Sequence, residues 1–144
     1  MKTRLLRGAA TAALLGIVPV AAAAGPAETI RLAPQAASGV SGKLTLSSPG
    51  DRAAAKVSVR VRGLKPGAQA VLVVNGGNCK RRGASVARVL TARADVNGIV
   101  TASGRVRYRG VEPVPFSTLA DGAHAFSILA GARVVACGVV PGID

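Results

Sequence analysis

The fold of this chain is decided by residues 56–74, which read KVSVRVR-GLKPG-AQAVLVV. Valine alternates with Lys, Ser and Arg over residues 56–62, a period of two that is typical of a strand with one face in a core and the other in water. Residues 63–67 predict a turn, because proline and glycine supply its special backbone geometries. Residues 70–74 form a continuous apolar run that indicates a strand covered on both faces, and residues 75–78 are expected to end it.

Similar short patterns continue along the chain. Further strands are predicted at residues 40–46, 87–94, 99–108, 123–129 and 134–140, with turns rich in Gly, Pro, Asn and Asp between them. Gly104 is expected to form a bulge in the longest of these strands. No segment after residue 24 has convincing helical periodicity. Seven or eight strands at a spacing of about ten residues predict an all-β, antiparallel Greek-key sandwich or barrel.

The first 24 residues predict a secretory signal peptide. A basic start is followed by an apolar run over residues 9–20 and by four alanines at residues 21–24, which is the three-part pattern of such signals. The alternative is a membrane anchor, but a spanning helix needs about 20 apolar residues. Pro19 and the small residues interrupt this run, so the pattern favours cleavage near Ala24.

The chain that remains after cleavage has about 120 residues, the size of one domain with one core. Residues 25–38 are expected to form a flexible leader, and residues 39–144 the β-sandwich domain. No transmembrane segment is expected after cleavage. The predicted location is extracellular or in the cell envelope, and the composition suggests a bacterial source.

The chain is strongly basic. Its 19 Lys and Arg residues outnumber its 6 Asp and Glu residues, for a formal charge of +13, and +10 remains when Lys2, Arg4 and Arg7 leave with the signal peptide. Such a charge favours anionic partners, namely lipid headgroups, acidic wall polymers or nucleic acid, and the alternative is that it serves solubility alone. Nucleic acid is not expected, because export and the near absence of aromatic residues argue against a stacking platform.

A basic cluster, Lys80, Arg81 and Arg82, follows Cys79 directly and is the candidate anion-binding site. Arg105, Arg107 and Arg109 are expected on one face of the strand at residues 99–108, where they could extend such a patch. The alternative is that all of these cations are solvated positions with no ligand.

The two cysteines, Cys79 and Cys137, favour one disulfide, because an exported chain meets an oxidising compartment. Free thiols and metal ligands are the alternatives. Neither cysteine belongs to a CxxC pair or to a histidine cluster, so the disulfide is the better interpretation.

Three segments resemble the copper/zinc superoxide dismutase family: GLKPG at residues 63–67, GNC at residues 77–79 and VVACGVV at residues 134–140. The family has a Gly-Leu-x-Pro-Gly turn, then Gly-Asp and a Cys, and it ends in Arg-x-Ala-Cys-Gly-Val-Ile. The resemblance covers residues 39–140 and extends to short secreted bacterial relatives, including chordin-domain-like proteins. It implies the family's β-sandwich, with Cys79 bonded to Cys137.

The family's metal site does not carry over to this chain. Under the resemblance, two of the family's copper histidines would lie in the strand after the GLKPG turn, at the positions of Leu72 and Val74, whose side chains cannot bind a metal. The family's substrate-guiding arginine falls at Val134. His124 is the single histidine, whereas such catalytic sites need three or four ligands. We therefore expect no bound metal, no cofactor and no dismutase activity. His124 is expected at an edge or partly buried, and a weak metal contact is its alternative role.

Asp121, His124 and Ser127 supply the residue types of a nucleophilic triad, but no nucleophile elbow accompanies them, so coincidence is the better interpretation. The sequence thus predicts a secreted, noncatalytic superoxide dismutase-like module that binds anionic envelope polymers or lipid headgroups. The alternative is a metal-handling or redox protein derived from a copper/zinc superoxide dismutase.

Overall fold

The computed structural model describes residues 25–143 and residue 16. The predicted signal peptide, residues 1–24, lies outside the described residues apart from Gly16. Within residues 25–143, no helix combines the length and the hydropathy that a bilayer span requires.

Residues 25–143 form ten strands and one short helix. Their bounds are β1 Ala27–Pro34, β2 Ser41–Ser47, β3 Lys56–Arg62, β4 Gln69–Gly77, β5 Arg82–Arg93, β6 Val100–Arg105, β7 Arg107–Tyr108, β8 Glu112–Pro113, α1 Phe116–Leu119, β9 His124–Ala130 and β10 Arg133–Val139.

Eight of these strands make one antiparallel sheet in the order β5-β4-β9-β10-β1-β2-β3-β6, and this sheet is nearly closed into a barrel. We call β1, β2, β3 and β6 the front half-sheet, and β10, β9, β4 and β5 the back half-sheet. The two are joined where Ala33 and Pro34 of β1 pair with Cys137 and Ala136 of β10. β3 pairs with β6 and β4 pairs with β9, so the connections cross between the half-sheets in Greek-key fashion. The predicted all-β antiparallel fold is confirmed.

The core lies between the two half-sheets and follows from strand alternation. In β3, Val57, Val59 and Val61 are buried while the residues between them are exposed, as the sequence predicts. The large core side chains are mainly aliphatic because the chain has so few aromatic residues, and they include Leu32, Leu44, Leu46, Leu72, Leu119, Ile128 and Phe126. Burial of this apolar surface is the main force that holds the barrel together.

The segment at residues 25–38 is part of the sheet, not a leader outside it. From Ala27 to Leu32 every residue pairs with β2, and Ile30 and Leu32 are buried in the core. The alternation here is short, so the local pattern was weak. β1 is stabilised as a strand because β2 pairs with one of its edges and β10 with the other. These contacts exist only in the folded chain. The β-sandwich domain therefore includes β1 and does not begin at residue 39.

The long strand expected at residues 99–108 is interrupted. β6 ends at Arg105, and the next residue, Val106, is fully buried. Its N–H donates to the carbonyl of Ala55 and its carbonyl accepts the N–H of Val114, both at 2.9 Å. β3 begins only at Lys56, so Val106 has no further partner on that strand and the chain turns into β7. The expected bulge at Gly104 is wrong, because this residue stays in register opposite Val57.

β4 also differs from the sequence-based prediction. It does not end at Val74 but continues to Gly77, with shifts of register against β5 on the way. Its outward residues Val71 and Val73 are only half-buried, so the strand is not fully covered on both faces. β4 thus ends two residues before Cys79.

Candidate functional site

Cys79 and Cys137 form a disulfide, with their Cα atoms 5.8 Å apart. Phe126 and Ile128 of β9 are buried in the core, so Ser127 between them lies on the outer face of the back half-sheet, where it pairs with Cys137. Cys137 is nevertheless only 1% exposed. The segment that carries Cys79 therefore lies over this outer face, and the predicted disulfide is confirmed.

A small buried polar group sits beneath this segment. The Ser127 hydroxyl lies 3.2 Å from Asn75 Oδ1, to which it donates, and 3.6 Å from Cys137 Sγ. Asn75 Nδ2 donates to the carbonyl of Gly76 at 2.9 Å. Within the described part of the chain, no buried side-chain nitrogen or oxygen lacks a partner. Because buried polar groups are costly when unpaired, these contacts hold the base of the loop in one arrangement.

The loop after this base presents the predicted cations. The Asn78 side-chain oxygen accepts the backbone N–H groups of Lys80 at 2.9 Å and Arg81 at 2.8 Å. Gly77 has a φ of 84°, and a side chain there would collide with the carbonyl oxygen of Arg81. The loop backbone is thus fixed by a disulfide, an Asn side chain and a glycine. We call Lys80, Arg81 and Arg82 the basic loop; all three are exposed, and Arg82 is the first residue of β5.

The other expected patch does not form on one strand face. Arg105 ends β6, Arg107 lies in β7, and Arg109 follows in a turn with a φ of 51°. The Arg109 guanidinium lies over the ring of Tyr108, 5.2 Å from its centroid, and Arg107 donates to the carbonyl of Val111 at 3.3 Å. The prediction of a single face was wrong because the strand breaks at Val106.

The two positions at which the resemblance places copper histidines are part of the core. Leu72 and Val74 are both 0% exposed, on the inner face of β4. No group of three His, Cys, Asp or Glu side chains with metal-binding geometry occurs in residues 25–143.

His124 is 16% exposed at the start of β9, and its Nδ1 lies 2.9 Å from Asp121 Oδ1. The hydrogen bond from His124, together with one from the backbone N–H of Ala123, holds the pKa of Asp121 below its ordinary value. Ser127 lies three residues further along the strand and donates to Asn75 instead. The three residue types of a triad are therefore not brought together.

The Lys and Arg side chains of residues 25–143 have no acidic partner within that range. Among residues 25–143, the contact between Asp121 and His124 is the one pair of acidic and basic side chains within 4.0 Å, so no Lys or Arg side chain there is in an ion pair. A second group of such cations, which the sequence did not predict as a site, lies on the front half-sheet. Alternation places Arg31, Lys43 and Arg60 on the outer face, but their alignment depends on strand register.

No family model matches this chain, and no curated protein matches it. The fold and the surface define the class: a disulfide-linked, all-β Greek-key barrel with a strongly basic exterior.

Proposed function

We propose that this protein is a secreted, noncatalytic module that binds anionic polymers or lipid headgroups at the cell envelope. The observation that carries the proposal is the basic loop, in which three exposed cations stand on a backbone fixed by the disulfide and by Asn78. A site that is ordered before binding loses less conformational entropy when the ligand arrives. Within residues 25–143, the loop cations also have no carboxylate partner that a ligand would have to displace.

The noncatalytic part of the proposal rests on the side chains that occupy the positions of the copper histidines in copper/zinc superoxide dismutases. Leu72 and Val74 are buried hydrocarbon, which offers no metal ligand. We propose a distant relationship to copper/zinc superoxide dismutases in which the metal site became part of the core. The disulfide between the two Cys motifs and the antiparallel barrel support this relationship.

The binding proposal is tested with the mature chain, residues 25–144, and vesicles that contain either phosphatidylglycerol or only phosphatidylcholine. We expect binding to the anionic vesicles alone, and we expect it to weaken steeply between about 20 and 200 mM NaCl because salt screens exposed charges. Replacing Lys80, Arg81 and Arg82 with Ser should weaken binding by about tenfold or more.

The matched control removes the same charge from elsewhere by replacing Arg105, Arg107 and Arg109 with Ser. This variant should bind better than the loop variant, because its cations lie in two strands and a turn, and the Arg109 guanidinium lies over the Tyr108 ring. Equal losses in the two variants would show that net charge alone acts. If salt-sensitive binding to acidic wall polymers and vesicles is absent altogether, the proposal is wrong and the charge serves solubility.

The noncatalytic proposal has its own test. Metal analysis of mature protein purified without a histidine tag should find no stoichiometric copper or zinc, and dismutase assays should show no activity. Dismutase activity that disappears in the variant His124→Ala would contradict the proposal, because the single imidazole would then be organising a site.

A further inference from the structure

The outer face of the front half-sheet carries a row of cations in register. Arg31 of β1 lies opposite Lys43 of β2, and Lys43 lies opposite Arg60 of β3. All three side chains are exposed. Arg62, two residues beyond Arg60 on the same face, adds a fourth cation. The one acid in β1, Glu28, alternates in phase with the buried Ile30, so it does not belong to this row.

Such a row is unfavourable without a ligand. Neighbouring strands are about 4.8 Å apart, well inside the screening length of about 10 Å at 0.1 M salt. Like charges directly opposite each other destabilise a sheet. Within residues 25–143, no carboxylate pairs with any of these cations. The carboxylates of residues 25–143 therefore leave the repulsion along the row uncompensated.

The row surrounds a shallow cavity. Its volume is about 530 Å³, and its lining includes Arg31, Ser41, Lys43, Arg60, Arg62 and Ile99. A neighbouring depression of about 480 Å³ shares Lys43 and Arg60, and its lining also includes Thr45, Ser58, Val59, Thr101, Ala102 and Ser103, four of which carry hydroxyl groups. Charged donors and neutral donors thus lie side by side on one sheet face.

We propose that this cavity binds a compact polyanion with at least two adjacent phosphate groups, such as a di- or triphosphate chain. Arginine binds phosphate oxygens through paired N–H groups, and three of the four cations are arginines. A single monovalent anion would neutralise only part of the row, whereas adjacent phosphates offset the charge across all three strands. The nearby hydroxyls can donate to the remaining oxygens.

This site is separate from the basic loop. The loop segment lies over the outer face of the back half-sheet, on the other side of the core from Lys43 and Arg60. The inference therefore goes beyond the proposed function, because it names a second surface and a discrete ligand. Binding at the cavity does not depend on whether the basic loop binds envelope polymers.

The test uses the mature chain and inorganic tripolyphosphate, measured by titration calorimetry at low salt. The double variant Lys43→Gln/Arg60→Gln should bind about tenfold or more weakly. The control is Lys56→Gln/Arg105→Gln, which removes another pair of cations that lie opposite each other on the same face, at its far end. The control should stay within about twofold of the unmodified protein, because these residues do not line the cavity.

Two further measurements keep the result interpretable. The unliganded cavity variant should melt at the same temperature as the unmodified protein or higher, which shows that it is folded. If it does not fold, Arg62→Gln at the end of β3 replaces it, with an expected loss of about threefold or more. The basic-loop variant with three Ser substitutions should keep its affinity for tripolyphosphate.

Several outcomes would overturn the site. Equal losses in the cavity variant and its control would show attraction by net charge alone. The proposal is wrong if the unmodified chain does not bind tripolyphosphate. It is also wrong if only the basic-loop variant loses affinity for tripolyphosphate. Orthophosphate that binds as tightly as tripolyphosphate would contradict the requirement for adjacent groups.

Discussion

Lys43 on β2 lies directly opposite Arg60 on β3, and neither side chain has a carboxylate partner in the described structure. The same strands pack Leu44 and Val59 into the core on their other face. Hydrophobic burial therefore holds two like charges side by side, and the front half-sheet keeps a repulsion that binding of an anion can relieve.

The first prediction is that removing one of these charges stabilises the unliganded protein. Lys43→Gln should raise the free energy of unfolding by about 0.2–1 kcal/mol at low salt, because it removes two unfavourable cross-strand neighbours. The gain should shrink near 1 M NaCl, where the screening length is about 3 Å. Urea unfolding at both salt concentrations measures it. Lys65→Gln, in an exposed turn, is the control, and a larger gain in the control would refute the cross-strand explanation.

Loss of the disulfide should strongly destabilise the fold. The variant Cys79→Ala/Cys137→Ala is expected to lose about 2–5 kcal/mol of unfolding free energy, since the bond closes a long loop and holds the segment that covers Ser127. Urea unfolding of this variant and of the reduced unmodified protein should give similar losses. Titration of two free thiols in denatured, unreduced mature protein would show that the bond does not form.

Leu72 is expected to behave as an ordinary core residue. Leu72→Ala should cost about 2–5 kcal/mol of unfolding free energy, because it leaves a cavity between the half-sheets. Val71→Ala, on the half-buried outer face of the same strand, should cost clearly less. Thermal or urea unfolding compares the two variants. A negligible cost at Leu72 would mean that the inner face of β4 is not packed.

The contact between Asp121 and His124 predicts a small pH effect. Because the hydrogen bond with His124 lowers the pKa of Asp121 in the folded state, the carboxylate stabilises the fold above its ordinary pKa of 3.8. This contribution disappears as the pH falls through the lowered pKa. Asp121→Asn should therefore cost at most about 0.5 kcal/mol near pH 6, since the pair is partly solvated, and less near pH 2.

Unfolding curves at both pH values check this expectation. Asp51→Asn, in an exposed turn, serves as the control. A destabilisation by Asp121→Asn that grows as the pH falls would have the wrong sign for a lowered pKa and would refute the account.

Much of the fold could be predicted from local sequence. The strands at residues 40–46, 56–62, 123–129 and 134–140 match the structure within a residue or two, because alternation between apolar and polar side chains is a local property. The pairing of Cys79 with Cys137 also required little more than the presence of two cysteines in a chain predicted to be exported. The exposure of the basic loop followed from its composition.

Other features depend on contacts between distant segments. β1 is too weakly patterned to be identified alone and is held by β2 and β10 on its two sides. The break at Val106 arises because its backbone groups bond to Ala55 and Val114. The local sequence of these segments does not indicate such contacts. A leader was therefore predicted at residues 25–38 and one long strand at residues 99–108, and the structure has neither.

The candidate sites also depend partly on local sequence and partly on contacts between distant segments. The sequence alone determined that Lys43 and Arg60 would each lie on an outer strand face, because the period of a strand is two. Arg31 lies in the segment predicted as a leader, and its place on the outer face follows only from the pairing of β1 with β2. Only the tertiary structure decided that these three cations stand in one row around a cavity. Register is set by the pairing of whole strands, and a shift of one residue would turn a strand's side chains to the other face.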